Sequence, residues 1–330
     1  MAYNLQRGES VSEAVERIIY EELDAAVSLL SAPAAGDSAI HEARKSIKKI
    51  RGLLRLVREP LGAAIYKREN NRFRKIAALL SPFRDAAALL EVFDDLAARH
   101  KDATSPASAG VIQAGLQTDK QTLEQQLNVA AIIDRSIQAL HRARERKYHY
   151  PSEVDSFLLL APGLKRTYRA GRKTLKKVHG KKAGDVLFHD LRKRAKDHWY
   201  HLRLLAGMAD HAMRSRESDT KQLETWLGDY HNIVVLQERL RRRPADFGGK
   251  KSVKEFLAVL VHHERELRAN ALKLGEEVYG TKTSAFLENA QSLWQVWHSA
   301  SPAKAPVPAA SAKKATGKVR ERSRPARRSR

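Results

Sequence analysis

Histidine, arginine and lysine recur in this chain at a spacing suited to holding anionic oxygens. His41, Arg44 and Lys48 stand at i, i+3 and i+7 in His41-Glu42-Ala43-Arg44-Lys45-Ser46-Ile47-Lys48. His189, Arg192 and Lys196 repeat that order in His189-Asp190-Leu191-Arg192-Lys193-Arg194-Ala195-Lys196. At helical pitch these positions share a face. Arg brings a forked donor, Lys a compact charge, and His a ring N–H. A matching segment follows each copy: Leu80-Ser81-Pro82-Phe83-Arg84-Asp85 after the first, Leu227-Gly228-Asp229-Tyr230-His231-Asn232 after the second. His41 and His189 are 148 residues apart, Arg84 and His231 147, and Arg74 and Lys221 each lie ten residues before that pair. A cationic pattern written twice implies a surface for a long polyanion.

Helical projection sharpens that implication. With His41 at 0°, Arg44, Lys48, Arg51, Arg55 and Arg58 fall between about −20° and −100°. Ala43, Ile47, Ile50, Leu53, Leu54 and Val57 fall between about 120° and 240°. One face is cationic and the other belongs in a core. An ordinary surface helix relieves such crowding with acids, since each like-charge pair costs about 0.2–0.5 kcal/mol. Here only Glu42 is acidic. The second copy presents Arg192, Lys193, Lys196, Tyr200 and Arg203, with Trp199 in the place of Arg51. A third stripe, Lys165, Arg169, Arg172 and Lys176, lies in a stretch with no acid between Asp155 and Asp185.

These stripes need helices to carry them, and the rest of the chain supplies helices. Leu, Ala, Arg, Glu and Lys abound, aromatics make up 6%, and no segment alternates as a strand does. Helical period runs from Ser10 or Ser12 to about Leu30. It resumes from Asp37 or Ser38 through the first motif, then to about Leu80, and from Pro82 to about Arg99. One long helix is expected over about 111–147, ended by Tyr150-Pro151-Ser152. Helices then follow over about 164–179, 185–207, 217–241, 251–279 and 283–298. The expected fold is all-α: two similar antiparallel bundles, about 8–148 and 152–298, related by a pseudo-twofold repeat.

Composition narrows the partners. The 330 residues carry a net charge of +23. Residues 299–330 hold ten Lys or Arg and one Glu, leaving +14 on the remainder. That Ala, Pro, Ser, Lys and Arg tail reads as disordered, and its charge makes it a candidate DNA contact. There is no cysteine, so disulfides and thiolate chemistry are excluded. No apolar run approaches the roughly 20 residues that cross a bilayer, and no leader is evident, so a cytoplasmic protein is expected. His198 with His201, and His262-His263-Glu264, are small clusters without a clear third metal ligand. Neither metal nor cofactor is expected.

Taken together, the two His-x-x-Arg-x-x-x-Lys helices, Arg84-Asp85, the Tyr200 after the second motif and Leu227-Gly228-Asp229 resemble the CHAD family, the conserved histidine α-helical domain. Gly8-Glu9-Ser10-Val11 at the start, and Ala271-Leu272-Lys273-Leu274-Gly275-Glu276 leading to Trp294, are similar to its ends, so the likeness covers about 8–298. The resemblance implies non-catalytic binding of inorganic polyphosphate in a groove or pore between two bundles, at polyphosphate granules. By position it implies His41, Arg44, Lys48, Arg51, Arg84, His189, Arg192, Lys193, Lys196 and Tyr200 as lining. Arg55, Arg74, Lys221, His231 and the stripe of Arg169, Arg172 and Lys176 join them as candidates. Three positions depart from the family pattern: Ser81-Pro82, His231-Asn232 and Trp199. A nucleic-acid or nucleoid protein, or a metal-dependent phosphohydrolase, are the alternatives. The chain lacks Glu-x-Glu-x-Lys, a Walker loop and His-Glu-x-x-His.

Overall fold

A computed structural model describes residues 3–33, 35–101, 103–146, 156–180 and 184–299. Residues 300–330 of the basic tail, and the expected break at Tyr150-Pro151-Ser152, lie outside the described residues. Among those described, every regular element is helical and there is no strand.

The first half opens with α1 (Val11–Leu30). Ser10 accepts from the Glu13 amide while Glu13 accepts from the Ser10 amide, a reciprocal cap that starts the helix. Helix α2 (Asp37–Leu56) carries the first motif. Its N-cap is Gly36, with no side-chain cap, so neither Asp37 nor Ser38 caps it as expected. Asp37 instead lies in the first turn, where its charge suits the helix dipole, and it pairs with Lys120 at 2.7 Å. Short α3 (Arg58–Leu61), α4 (Ala63–Leu79) and α5 (Ser81–Arg99) follow. The long helix expected from 111 is two helices, α6 (Pro106–Gln126) and α7 (Val129–Arg144). Leu127 leaves the helical region and Asn128 caps α7, accepting from the Ala131 amide at 3.0 Å.

The second half runs α8 (Ala161–Val178), α9 (Asp185–Leu204), α10 (His211–Arg242), α11 (Gly249–Tyr279) and α12 (Thr283–Ser299). Helices α2 and α9 are both 20 residues long, both follow a glycine N-cap, and both begin and end 148 residues apart. Helix α10 begins 148 residues after α4, and runs unbroken where Leu80 divides α4 from α5.

Amphipathic packing places α2 at the centre. Ile40, Ala43, Ile47, Ile50, Leu53 and Leu54 are all buried, and the helix touches α1, α4, α5, α8 and α9. The halves share one continuous core, with α5 against α10 and α6 against α11. Helices α2 and α9 approach closely because Gly52 has no side chain. A Cβ there would lie 3.1 Å from Tyr200 Cβ. His201 Nε2 bonds the Gly52 carbonyl at 3.1 Å. The N-terminal segment straps the pair: Tyr3 Oη donates to the Lys49 carbonyl and the Leu5 amide to the Leu204 carbonyl, each at 2.9 Å. Helix α8 seats on the end of α2 through Gly163, whose Cβ would fall 1.8 Å from the Leu56 carbonyl oxygen.

His198 and His201 are core residues. His198 is fully buried among Tyr168, Tyr279 and Phe286. Among the described residues no three His, Cys, Asp or Glu cluster to hold a metal, and no helix is long and apolar enough to cross a membrane.

The glycines supply a test. Gly163→Ala is expected to cost about 3 kcal/mol, because a backbone carbonyl cannot yield. Gly110→Ala, with nothing within 4 Å of its Cβ, is expected to gain about 0.5–1 kcal/mol inside α6. Thermal unfolding of the two variants beside the parent checks both signs.

Candidate polyanion groove

The cationic faces of α2 and α9 meet across two adjoining cavities. The larger, about 470 Å³, is closed by α5 and α10 and includes His41, Arg44, Lys48, Arg84, Arg192, Lys196, Tyr200, Lys221 and His231. The smaller, about 390 Å³, includes Arg51, Arg55, Lys193 and Arg194. Lys48, Arg192, Lys196 and Tyr200 line both and form the waist between them. Together the cavities carry eleven Lys or Arg against four acids, Asp85, Asp197, Glu224 and Asp229. That excess decides the sign of any ligand.

The chain brings twelve of the seventeen expected residues to this groove. His189 stands directly behind it, its ring 4.6 Å from that of His231. Arg74 does not line it: it is exposed on α4 and bonds Asn71, and only its charge is felt there, by Arg51. Arg169, Arg172 and Lys176 do not reach it either, because α8 turns that face away. Arg172 Nε instead donates to the Tyr279 carbonyl at 3.0 Å.

Several groove cations already have partners. Arg44 is buried, and its Nη1 donates to the Ala77 carbonyl at 2.6 Å and to Ser81 Oγ. It thus ties the α4–α5 break, and Ser81, an unexpected residue at that turn, is its anchor. Arg84 forks onto Glu91 at 2.7 and 2.8 Å. Arg55 pairs with Asp197 at 2.9 Å, and Arg51 Nε donates to Asn70 at 3.1 Å.

Glu224 is the main counter-charge. It is buried, 2.6 Å from Lys196 and 3.0 Å from Lys221. Burial alone would raise its carboxyl, but the two ammonium groups outweigh that and hold it down at about 2. Trp199 also steers Lys221, whose Nζ sits 4.5 Å above the indole ring, while Trp199 Nε1 donates to Glu217 at 2.8 Å. A lysine from α10 thus stands over the ring at position 199.

Lys48 and Arg192 are different. Neither has a hydrogen bond or ion pair among the described residues, and Arg192 Nε is buried without a partner. Burial, reinforced by Lys196, Arg44 and Arg192, lowers the Lys48 ammonium to about 7. Burial lowers Arg51 to about 10, with Arg55 adding to it. His231 falls to about 4 through burial and the nearby Arg192. Burial likewise lowers His41, beside Arg84, and His189, beside Lys193.

Sequence reasoning missed the four acids, Lys45 and Arg194. Glu224 was readable as the i+3 partner of Lys221. The proximity of Lys196 to that same carboxylate came only with the α9–α10 packing.

The family is settled by comparison. The CHAD domain model matches residues 13–241, and this chain belongs to that family. In the solved structures, PptA from Streptomyces chartreusis shares the fold, with a TM-score of 0.53 at 13% identity over 87% of this chain and 100% of that one. No curated protein sequence matches.

Lys48 gives a pH test of the groove. Its ammonium titrates near 7 when folded and at 10.5 ordinarily. Unfolding therefore takes up a proton between those values, and stability rises with pH through that window. Lys48→Met is expected to raise the thermal midpoint at pH 6 by a few degrees and to flatten that rise. Melting curves from pH 6 to pH 10 check it.

Proposed function

We propose that this chain binds inorganic polyphosphate, without catalysis, along the groove between α2 and α9. The observation that carries this reading is the open cationic pair at the waist, Lys48 and Arg192, neither hydrogen-bonded nor ion-paired among the described residues, with Lys196, Arg44 and Arg192 outweighing Glu224 at Lys48. Only phosphate oxygens are needed to relieve it. Arg192 would supply a guanidinium fork, Lys48 and Lys196 compact charge. The walls offer few aromatic faces for bases. Membership of the CHAD family supports the same ligand class and association with polyphosphate granules.

The two halves are read as copies of one unit about a pseudo-twofold axis. Such an axis brings equivalent positions together. Gly52 touches Tyr200, and Lys48 is acted on most strongly among its charged neighbours by Lys196, each pair 148 residues apart. One groove would thus take matching cations from both copies.

The non-catalytic reading rests on the groove's acids. Of the four, Glu224 is engaged by Lys196 and Lys221 and Asp197 by Arg55, and Asp85 and Asp229 belong to no group of three that could hold a metal among the described residues. Metal-assisted phosphoryl transfer draws on clustered carboxylates free to coordinate. Phosphate release from the pure protein with magnesium or manganese would reverse this reading.

Titration with long-chain polyphosphate tests binding. Affinity is expected to fall steeply with salt, by analogy with counter-ion release from nucleic acids. It is also expected to weaken as pH rises through about 7, because Lys48 loses its proton. Combined Lys48→Met and Arg192→Gln is expected to lower affinity by roughly tenfold or more, at 1.4 kcal/mol per decade. Unchanged affinity in that variant would sink the groove as the site.

A further inference from the structure

The exposed stripe of α8 remains outside the groove, yet it begins at the groove's edge. Lys165, Arg169, Lys173 and Lys176 are all exposed and span about 80° of the helix over roughly 16 Å. None has an ion pair among the described residues. The helix itself holds no Asp or Glu. Its N-terminal half forms a shallow depression with Lys165, Arg166, Arg169 and Lys173 along it, floored by Pro162 and Ala170.

Arg166 joins the two regions. It lies in the α8 depression, and its Nη2 donates to the Arg55 carbonyl while Nη1 meets Glu59. Arg55 and its partner Asp197 line the smaller cavity of the groove. Arg58 and Asp197 also act on Arg166 across the same boundary. Basic side chains therefore run from Arg55 through Arg166 to Lys165 and Arg169, the first two paired with Asp197 and Glu59 and the last two unpaired among the described residues.

We propose that the groove's polyanion track continues over Arg55 and Arg166 onto the outer face of α8, giving long polyphosphate chains a second contact that short chains cannot reach. This extension rests on the groove reading above. The two segments differ in kind. Groove cations are half-buried and pre-positioned, so they suit a short run of phosphates held tightly. The α8 cations are solvated and mobile at their tips, so they suit a sliding chain held by charge alone. The result is discrimination by chain length, with no residue reading a chain end.

The experiment compares tripolyphosphate with long-chain polyphosphate on the full chain, across a salt series. The variant carries Lys165→Gln, Arg169→Gln, Lys173→Gln and Lys176→Gln together, with its thermal midpoint checked against the parent. Long-chain affinity is expected to fall roughly tenfold, and its salt slope to shrink by about 3, at about 0.7 per lost contact by analogy with single-stranded nucleic acid. Tripolyphosphate affinity is expected to stay unchanged. Equal loss for both ligands, or no loss for the long chain, would overturn the extension. So would loss of duplex DNA binding with long-chain polyphosphate binding intact, which would assign the stripe to nucleic acid. The Lys48→Met, Arg192→Gln variant separates the two readings. If it keeps full tripolyphosphate affinity the groove itself fails, whatever α8 does.

Discussion

Lys48 faces Lys196 across the crossing of α2 and α9, with Arg44 and Arg192 on either side. The rest of the molecule is arranged so that this like-charge contact can persist. Left alone, two cationic helix faces would rotate apart or separate. Rotation is blocked because the opposite face of α2 is fully used: Ile47, Ile50, Leu53 and Leu54 have no exposed surface. Separation is blocked because Gly52 seats against Tyr200, Gly163 seats on Leu56, and the N-terminal segment bonds both helices. Hydrophobic burial, at about 25 cal/mol per Å², supplies the force that the charges oppose.

Counter-charges are placed so as to spare the waist. Glu224 comes from α10 and Asp197 from α9, and each is committed to a cation, Glu224 to Lys196 and Lys221 and Asp197 to Arg55. Arg84 is committed outward to Glu91, and Arg44 to the α4–α5 junction. What remains open at the waist is Lys48 and Arg192, while Arg194 of the smaller cavity is exposed and likewise unpaired among the described residues. A half-buried ammonium among other cations, with no ion pair of its own, is costly to fold around, which is why the Lys48 proton is held so loosely. A ligand of phosphate oxygens would remove the cost at the point where it is greatest. Stability and binding therefore pull in opposite directions at this one residue.

Most of the fold was legible because helical period is a local property. The start of α9 at 185 and the end of α11 at 279 follow from spacing and breakers, whereas α9 stops at Leu204, three residues before the expected end. The exception at Leu127-Asn128 is instructive. Asn128 is a good cap, but no proline or glycine marks the break, and periodic apolar residues run through it. Arg44 shows a second limit. Its place on the cationic face was readable, but its use as an anchor for Ala77 and Ser81 depends on where α4 ends in space.

The stripes divide the same way. Projection alone established that α2, α9 and α8 each present a cationic face, because the angle between residues on one helix is set by its own geometry. It could not say which faces converge. Helices α2 and α9 turn theirs toward each other, while the apolar faces of α8 and its neighbours turn the third stripe outward. Arg169, Arg172 and Lys176 leave the groove for that reason, Arg74 stays exposed on α4 beside Asn71, and Lys221 enters the groove on the ring of Trp199. Sequence by itself determined the helices, their charge and the class of ligand that charge admits. Only the tertiary structure decided which cations share a site, which are already paired, and that Lys48 and Arg192 are left open. Those properties depend on distances between helices, and such distances are set by long-range packing rather than by local pattern.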